Sequence, residues 1–256
     1  MKTTTIKKSA LALMACILAL AFALVGCGGS KADPEEAFLG SWKLSGGEIY
    51  GEELDDETIK TMEEVMNEIL IREVETKNIM TKSSLPVGGY SVNPYVGCTH
   101  ACKYCYASFM KRFTGHTEEW GTFLDVKHWP EIKNPKKYAG QRVVIGSVTD
   151  GYNPQEEQFG NTRKLLEQLI GSDADILICT KSDLVVRDID LLKKLGRVTV
   201  SWSINTLDEN FKNDMDSASS IEHRIAAMKQ VYEAGIRTVC FVSPVFPGTC
   251  INLIPC

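Results

Sequence analysis

The chain has 256 residues, room for one large domain or two small ones. With 44% hydrophobic and 24% charged residues it has the balance of a folded globular chain, which excludes general disorder. The net charge of −5 supplies no field for a nucleic-acid backbone, so nucleic acid is a possible partner only through a local patch. Nine cysteines, an odd number with three close together, do not make a secreted disulfide framework; a metal cluster plus scattered thiols fits better.

Met1 to Gly26 has the three regions of an export signal. Lys2, Lys7 and Lys8 open it, an apolar run from Ser9 to Gly26 follows, and it closes on Leu24-Val25-Gly26-Cys27. That closing box resembles the bacterial lipoprotein cleavage site, which implies a lipidated Cys27 at residues 1–27 and a membrane anchor through it. A plain membrane-spanning helix is the alternative, because the apolar run is long for a signal.

Residues 28–65 carry eleven Asp and Glu against three Lys, so the acidic character of the whole chain lies here. Phe38–Leu44 is expected as one short strand. It resembles the opening strand of small lipocalin-like lipoproteins, but no further barrel strands follow. Ile59, Met62, Val65, Met66 and Ile69 fall at helical spacing within Asp55–Leu70. The segment is therefore expected to be an acidic linker with one amphipathic helix. At about Met66 the resemblance changes, as expected where two coding segments have been joined, or in a natural fusion.

Ser91–Val96 is expected as a strand delivering Gly97-Cys98-Thr99-His100-Ala101-Cys102-Lys103-Tyr104-Cys105-Tyr106. Three cysteines spaced C-x3-C-x2-C can hold three corners of a cubane iron–sulfur cluster and leave one iron open to a ligand. Zinc with His100 as a fourth ligand, or a disulfide, are the other readings of the same residues. The spacing, with an aromatic residue before the third cysteine, resembles the radical S-adenosylmethionine (radical SAM) enzymes. That resemblance implies a [4Fe-4S] cluster on Cys98, Cys102 and Cys105. It also implies SAM chelated to the open iron, reductive cleavage to a 5′-deoxyadenosyl radical, and a reduced ferredoxin or flavodoxin as electron donor.

Tyr106–Phe113 is expected as a helix with Phe109, Met110 and Phe113 on its apolar side, and Thr114–Arg142 as irregular chain. Strands are then expected at Val143–Val148, Asp175–Cys179, Val198–Ile204 and Thr238–Val242. Helices are expected at Asn161–Ile170, Asp188–Leu195 and Ile221–Ala234, the last ended by Gly235. The fold class is α/β, a partial TIM-like (β/α) barrel of parallel strands with about five of six units, spanning 66–248 and followed by a tail at 249–256. Function belongs at the C-terminal strand ends.

Those ends carry Thr149-Asp150, Thr180-Lys181-Ser182 and Ser203-Ile204-Asn205. With the helix Arg224…Glu233-Ala234-Gly235 they resemble the branch containing spore photoproduct lyase and the radical SAM protein B of mobile gene pairs, over roughly 67–248. The resemblance implies that Lys181 and Ser203 hold the SAM carboxylate or ribose, that Thr149 lies near its amino group, and that Tyr104 meets the adenine. Two departures stand out. The lyase's hydrogen-donating cysteine is replaced, most simply by Val148, and a sixth strand–helix unit does not follow. Cys179 and Cys240 are expected as core thiols, Cys250 and Cys256 as tail thiols. The reading is a radical SAM enzyme with an open substrate; the alternative is an exported, non-enzymatic lipoprotein carrying an inactive radical SAM fragment. Their addresses conflict, because the leader points outward while a low-potential cluster needs the reducing cytoplasm, the preferred site of any activity.

Overall fold

The structure, a computed structural model, describes residues 48–49, 52–53, 69–83 and 88–246. The expected signal with Cys27, the strand Phe38–Leu44, the helix from Asp55 as far as residue 68 and the tail with Cys250 and Cys256 lie outside the described residues. Two compact units divide the chain, Met1–Glu63 and Glu64–Cys256. In the first, β1 (Glu48–Ile49) pairs antiparallel with β2 (Glu52–Glu53), a hairpin that the reading of an acidic linker did not include. Among the described residues no helix is long and apolar enough to cross a membrane.

The second unit is built on a six-stranded sheet. Its parallel strands are β5 (Tyr90–Val92), β8 (Arg142–Ile145), β9 (Asp175–Thr180), β10 (Arg197–Ser203) and β11 (Arg237–Phe241). They lie side by side in that order, and β4 (Thr81–Lys82) runs antiparallel along β5. Four of the five sit within a few residues of the expected strands. The sheet is open, with β11 and β4 as its edges. The α/β fold with a parallel partial barrel is therefore the one expected.

Strand period places Ile176 and Ile178 of β9 and Val198, Val200 and Trp202 of β10 on one face. There they pack with Leu165, Leu166 and Leu169 of α2 (Asn161–Leu169) and Val231 of α5 (Ile221–Glu233) in one core. The Ser220 hydroxyl caps α5 by accepting from the His223 N–H at 3.2 Å, and Gly235, at φ 83°, follows its end. Between β9 and β10 run a 3-10 helix, Leu184–Asp188, and the single turn α3 (Ile189–Leu192), shorter than the helix expected there. The opposite sheet face carries Ser91, Leu177, Cys179, Thr199, Ser201 and Ser203. Cys179 is thus half-buried on the open face rather than in the core, and Cys240 is exposed on β11, which has no strand beyond it among the described residues.

Further corrections concern the approach to the cysteine loop. The expected strand Ser91–Val96 is two strands in two sheets: β5, and β6 (Tyr95–Val96). Within the stretch expected to be irregular, β7 (Phe123–His128) pairs parallel with β3 (Leu70–Glu75) and antiparallel with β6. Leu70, expected at a helix end, therefore begins a strand. Tyr106–Phe113 is a 3-10 helix that buries Ala107 and leaves Phe109 and Phe113 exposed.

Beside the core lies a buried charged network. Glu156, in the short helix α1 (Glu156–Phe159), and Asp188 have fully buried side chains. Arg187 reaches Glu156 Oε1 at 2.7 Å and Asp188 Oδ1 at 2.8 Å, while Arg163 supports Asp188 at 2.8 Å. Tyr95 donates to Glu156 and Tyr152 to Asp188. Arg187 is the only cation paired with Glu156 among the described residues. Arg187→Met should therefore lower unfolding stability by about 3–5 kcal/mol, the usual cost of orphaning a buried charge. Adding Glu156→Gln should recover part of the loss. Denaturant titration of the three proteins checks this, and a loss below about 1 kcal/mol in Arg187→Met would show the pair carries no structural charge.

Candidate functional site

The three cysteines sit on a loop bound to the C-terminal ends of the parallel strands. Gly97, at φ 84°, brings the chain into it, and a Cβ there would lie 2.3 Å from the Phe123 carbonyl oxygen of β7. Only glycine fits so close an approach, so the second sheet sets where Cys98 begins. Inside the loop Ala101 adopts φ 47°, a left-handed conformation that costs a non-glycine residue about 1–2 kcal/mol. Backbone bonds Ala101 N–H to Cys98 O (3.2 Å) and Cys105 N–H to Cys102 O (3.0 Å) tighten the loop.

Two polar clamps hold it. In the first, the Asp150 carboxylate after β8 accepts from four donors: His100 Nε2 at 3.1 Å, the Tyr152 N–H at 2.9 Å, Thr180 Oγ1 at 2.9 Å and the Lys181 N–H at 2.7 Å. Burial alone would raise its pKa, but His100 and the amides hold it down to about 2. Ionised Asp150 can only accept, so His100 Nε2 carries the proton. Thr99 Oγ1 adds a bond to Gln155 Oε1 at 2.6 Å.

The second clamp comes from the segment after α4 (Glu209–Met215). The Lys103 N–H donates to Met215 O at 2.9 Å, and the Ser217 N–H to His100 O at 2.8 Å. Tyr104 donates its phenol proton to Asp216 Oδ2 at 2.9 Å. Burial first, then Cys102 and Asp216, push that phenol well above its usual range, so it stays a donor. Buried Arg224 fixes Asp216 at 2.6 Å and reaches the Ser203 carbonyl at 3.1 Å, tying the clamp to β10.

The residues expected to bind SAM fall around this loop. The Lys181 ammonium lies over the Tyr104 ring, 5.6 Å from its centroid, and is close enough to Cys102 to favour the thiolate. Among the described residues Lys181 makes no ion pair. The nearby carboxylates in the chain, Asp183 and buried Asp188, are engaged by Ser219 and His223 and by Arg163 and Arg187. Thr149 is buried, its N–H donating to Asn93 Oδ1 at 3.2 Å. Ser203 is half-buried at the end of β10. Val148 donates its N–H to the same Asn93 oxygen at 3.0 Å.

The donor set fits a cluster. Cys98, Cys102 and Cys105 are all free thiols. Burial first, then the Asp150 charge, pushes the Cys98 thiol up to about 12 against the backbone amides of Asp150 and His100, and burial pushes Cys102 up to about 11. Thiols so placed stay protonated until a cation replaces the proton. Among the described residues no three His, Cys, Asp or Glu side chains gather round one ion. In a cubane each thiolate takes its own iron, so the sulfurs need only ring the cluster. Among the described residues three buried polar atoms have no partner of hydrogen-bond geometry: His100 Nδ1 in the loop, Asn205 Nδ2 beside Tyr104, and Trp120 Nε1 beside Phe123. The first two are groups of the kind that a site completed by a polar ligand leaves behind.

Asp150, Asn93, Asp216 and Gln155 had no assigned role in the sequence reading. Asp150 had a visible signal, a carboxylate directly after a strand. Asp216 had none, since it stands 112 residues from Tyr104.

Comparison with known proteins bears on the whole unit. Residues 92–252 match the radical SAM superfamily. An uncharacterised protein of Methanocaldococcus jannaschii is 39% identical over 183 residues, covering 71% of this chain and 70% of that protein. An uncharacterised protein of Acidianus two-tailed virus is 34% identical over 172 residues, 62% of this chain and 56% of its own. Among solved structures, spore photoproduct lyase complexed with dinucleoside spore photoproduct has a similar fold, with a TM-score of 0.55 at 19% identity over 69% of this chain. A mutant lyase with bound AdoMet and the same dinucleoside gives 0.55 at 18%. The chain spans only about half of the lyase's length, 52% and 53% in these two structures. With more than half of its residues matched and a relative at 39% identity, this chain belongs to the radical SAM superfamily, whose members use a [4Fe-4S] cluster and SAM.

Proposed function

We propose that this chain is a radical SAM enzyme whose cluster is held by Cys98, Cys102 and Cys105 and whose product radical abstracts hydrogen from a substrate. The observation that carries the reading is the clamped loop of three free thiols at the C-terminal ends of five parallel strands. When bound, the cluster and SAM supply a one-electron cleavage of SAM to methionine and a 5′-deoxyadenosyl radical. Lys181 supplies a cation for the SAM carboxylate, and Ser203 a neutral hydroxyl beside it. Thr149 lines the amino end, and Tyr104, oriented by Asp216, offers a ring face to the adenine. The Asn205 amide, beside Tyr104, is a further donor.

Lesion repair is not part of the proposal, because Val148 stands where the lyase carries its hydrogen-donating cysteine. The substrate class stops at a molecule with an abstractable hydrogen. A reduced ferredoxin or flavodoxin is the proposed electron source. For location we propose the cytoplasm, since low-potential clusters are assembled in reducing compartments. The Leu24-Val25-Gly26-Cys27 box favours the rival, an exported lipoprotein. N-terminal analysis of the expressed protein decides between them: an intact Met1 supports the cytoplasm, and a lipidated Cys27 ends that part of the proposal.

Anaerobic reconstitution of the full chain should yield a brown protein with about four irons, and Cys98→Ala, Cys102→Ala or Cys105→Ala should bleach it. A colourless protein holding one zinc would sink the reading. Lys181→Ala should weaken SAM binding roughly ten- to a hundred-fold, the loss of one charge-assisted hydrogen bond, with iron content unchanged. Ser203→Ala removes a neutral partner and should cost less. Equal SAM affinities in titrations of wild-type and Lys181→Ala protein would take Lys181 out of the site.

A further inference from the structure

The cysteine loop has an outer face that the proposed chemistry leaves unused. Ala101 and Lys103 are exposed on it. The 3-10 helix Tyr106–Phe113, which leaves directly from Cys105, turns two large rings outward, Phe109 at 44% and Phe113 at 70% exposed, while Tyr106 at its start donates its phenol proton to the Ser147 carbonyl past β8. The Arg112 guanidinium lies over both phenylalanines, 5.7 and 5.6 Å from their centroids. Scattered exposed apolar residues are ordinary, but two large rings sharing one guanidinium on an eight-residue helix form a patch of the kind that marks an interface.

Its charge is one-sided. From Ala101 to Thr117 the chain carries Lys103, Lys111 and Arg112 and neither Asp nor Glu. The next carboxylate, Glu118, is already engaged by His116 at 2.9 Å and Arg72 at 3.3 Å. Asp214, exposed next to Met215, is the neighbouring acidic group on the clamp segment. A patch with cations at its margins and aromatic rings at its centre suits an acidic protein partner, whose encounter the cations would steer.

Position selects the kind of partner. The patch belongs to the loop that carries the three cysteines and to the helix that follows it. An electron delivered here crosses only that loop to reach the cysteine sulfurs. We propose that this face docks the electron donor, a small acidic flavin or iron–sulfur protein that gives up one electron as the cluster gains it. The proposal rests on the cluster reading above. A single-stranded nucleic acid stacking on the same rings is the competing occupant.

The test uses the full chain, reconstituted, and the variant Lys111→Glu/Arg112→Glu/Phe113→Ser, with Arg112→Glu alone as a milder second variant. Reduced flavodoxin is mixed with each protein and cluster bleaching is followed by stopped flow. The wild-type rate should fall as salt rises, the triple variant should be slower by at least about tenfold, and Arg112→Glu should lie between them. Iron content and reduction by dithionite should be the same in all three. Triple-variant reduction by flavodoxin at the wild-type rate would overturn the proposal. So would loss of oligothymidylate binding with the flavodoxin rate intact, which would assign the face to nucleic acid. A wild-type chain that takes up no iron fails at the earlier step and ends the cluster reading, and this proposal with it.

Discussion

The site depends first on the ionised carboxylate of Asp150. It receives donors from β9, from its own loop and from the cysteine loop, four in all, so both oxygens are saturated. Without this residue the Thr180 hydroxyl and the Lys181 amide would lose their acceptor and His100 its anchor. Charge-assisted bonds of this kind are worth about 1.5–3 kcal/mol each, and a buried donor left over costs a similar amount. Folding holds the Asp150 pKa down, so the stabilisation is in force above the ordinary carboxylate range and is lost only as pH falls through about 2. Near neutrality Asp150 is a fixed negative charge and no switch.

The second clamp does a different job with the same economy of parts. Arg224 is buried on α5, yet its guanidinium reaches the β10 terminus, the Ser219 carbonyl and Asp216 at once. Asp216 then holds the Tyr104 phenol. A shift of α5 against the sheet would therefore be felt at Tyr104 and through it at Lys181, whose ammonium rests over that ring. The cysteine loop is gripped from β8 on one side and from the β10–α5 connection on the other. Loops are the mobile part of most α/β folds; here polar bonds to two rigid elements remove that freedom, as a cluster with an open iron requires.

Much of this was legible beforehand because its signals are local. The cysteine spacing is contiguous, and strands such as Asp175–Thr180 are short apolar runs bounded by turn residues. The three-stranded sheet was not legible, since Phe123–His128 carries Asp125 and Lys127 in its middle and reads as irregular chain. The structure explains those charges: His116 bonds Asp125 at 2.9 Å, and Lys127 donates to the Asn93 carbonyl at 2.9 Å. Phe109, Met110 and Phe113 misled in the opposite way. Helical spacing shows that apolar side chains share a face, not that the face is turned inward. Cys240 failed for a related reason, because an apolar strand is buried only if it has neighbours on every side.

The unpartnered atoms carry the reading one step further. An Asn amide or an imidazole nitrogen buried without a partner costs about 1–3 kcal/mol, and natural folds accept few of them. Trp120 Nε1 is one such atom, beside Phe123; His100 Nδ1 belongs to the cysteine loop and Asn205 Nδ2 to the segment past β10. The surrounding side chains are not short of donors or acceptors; Asp150 and Asp216 each take several bonds. The carboxylates that position the loop are thus saturated, while His100 Nδ1 and Asn205 Nδ2 are not. A polar ligand that met both atoms would stabilise the folded chain by occupying it, because the unfolded chain offers it no such arrangement.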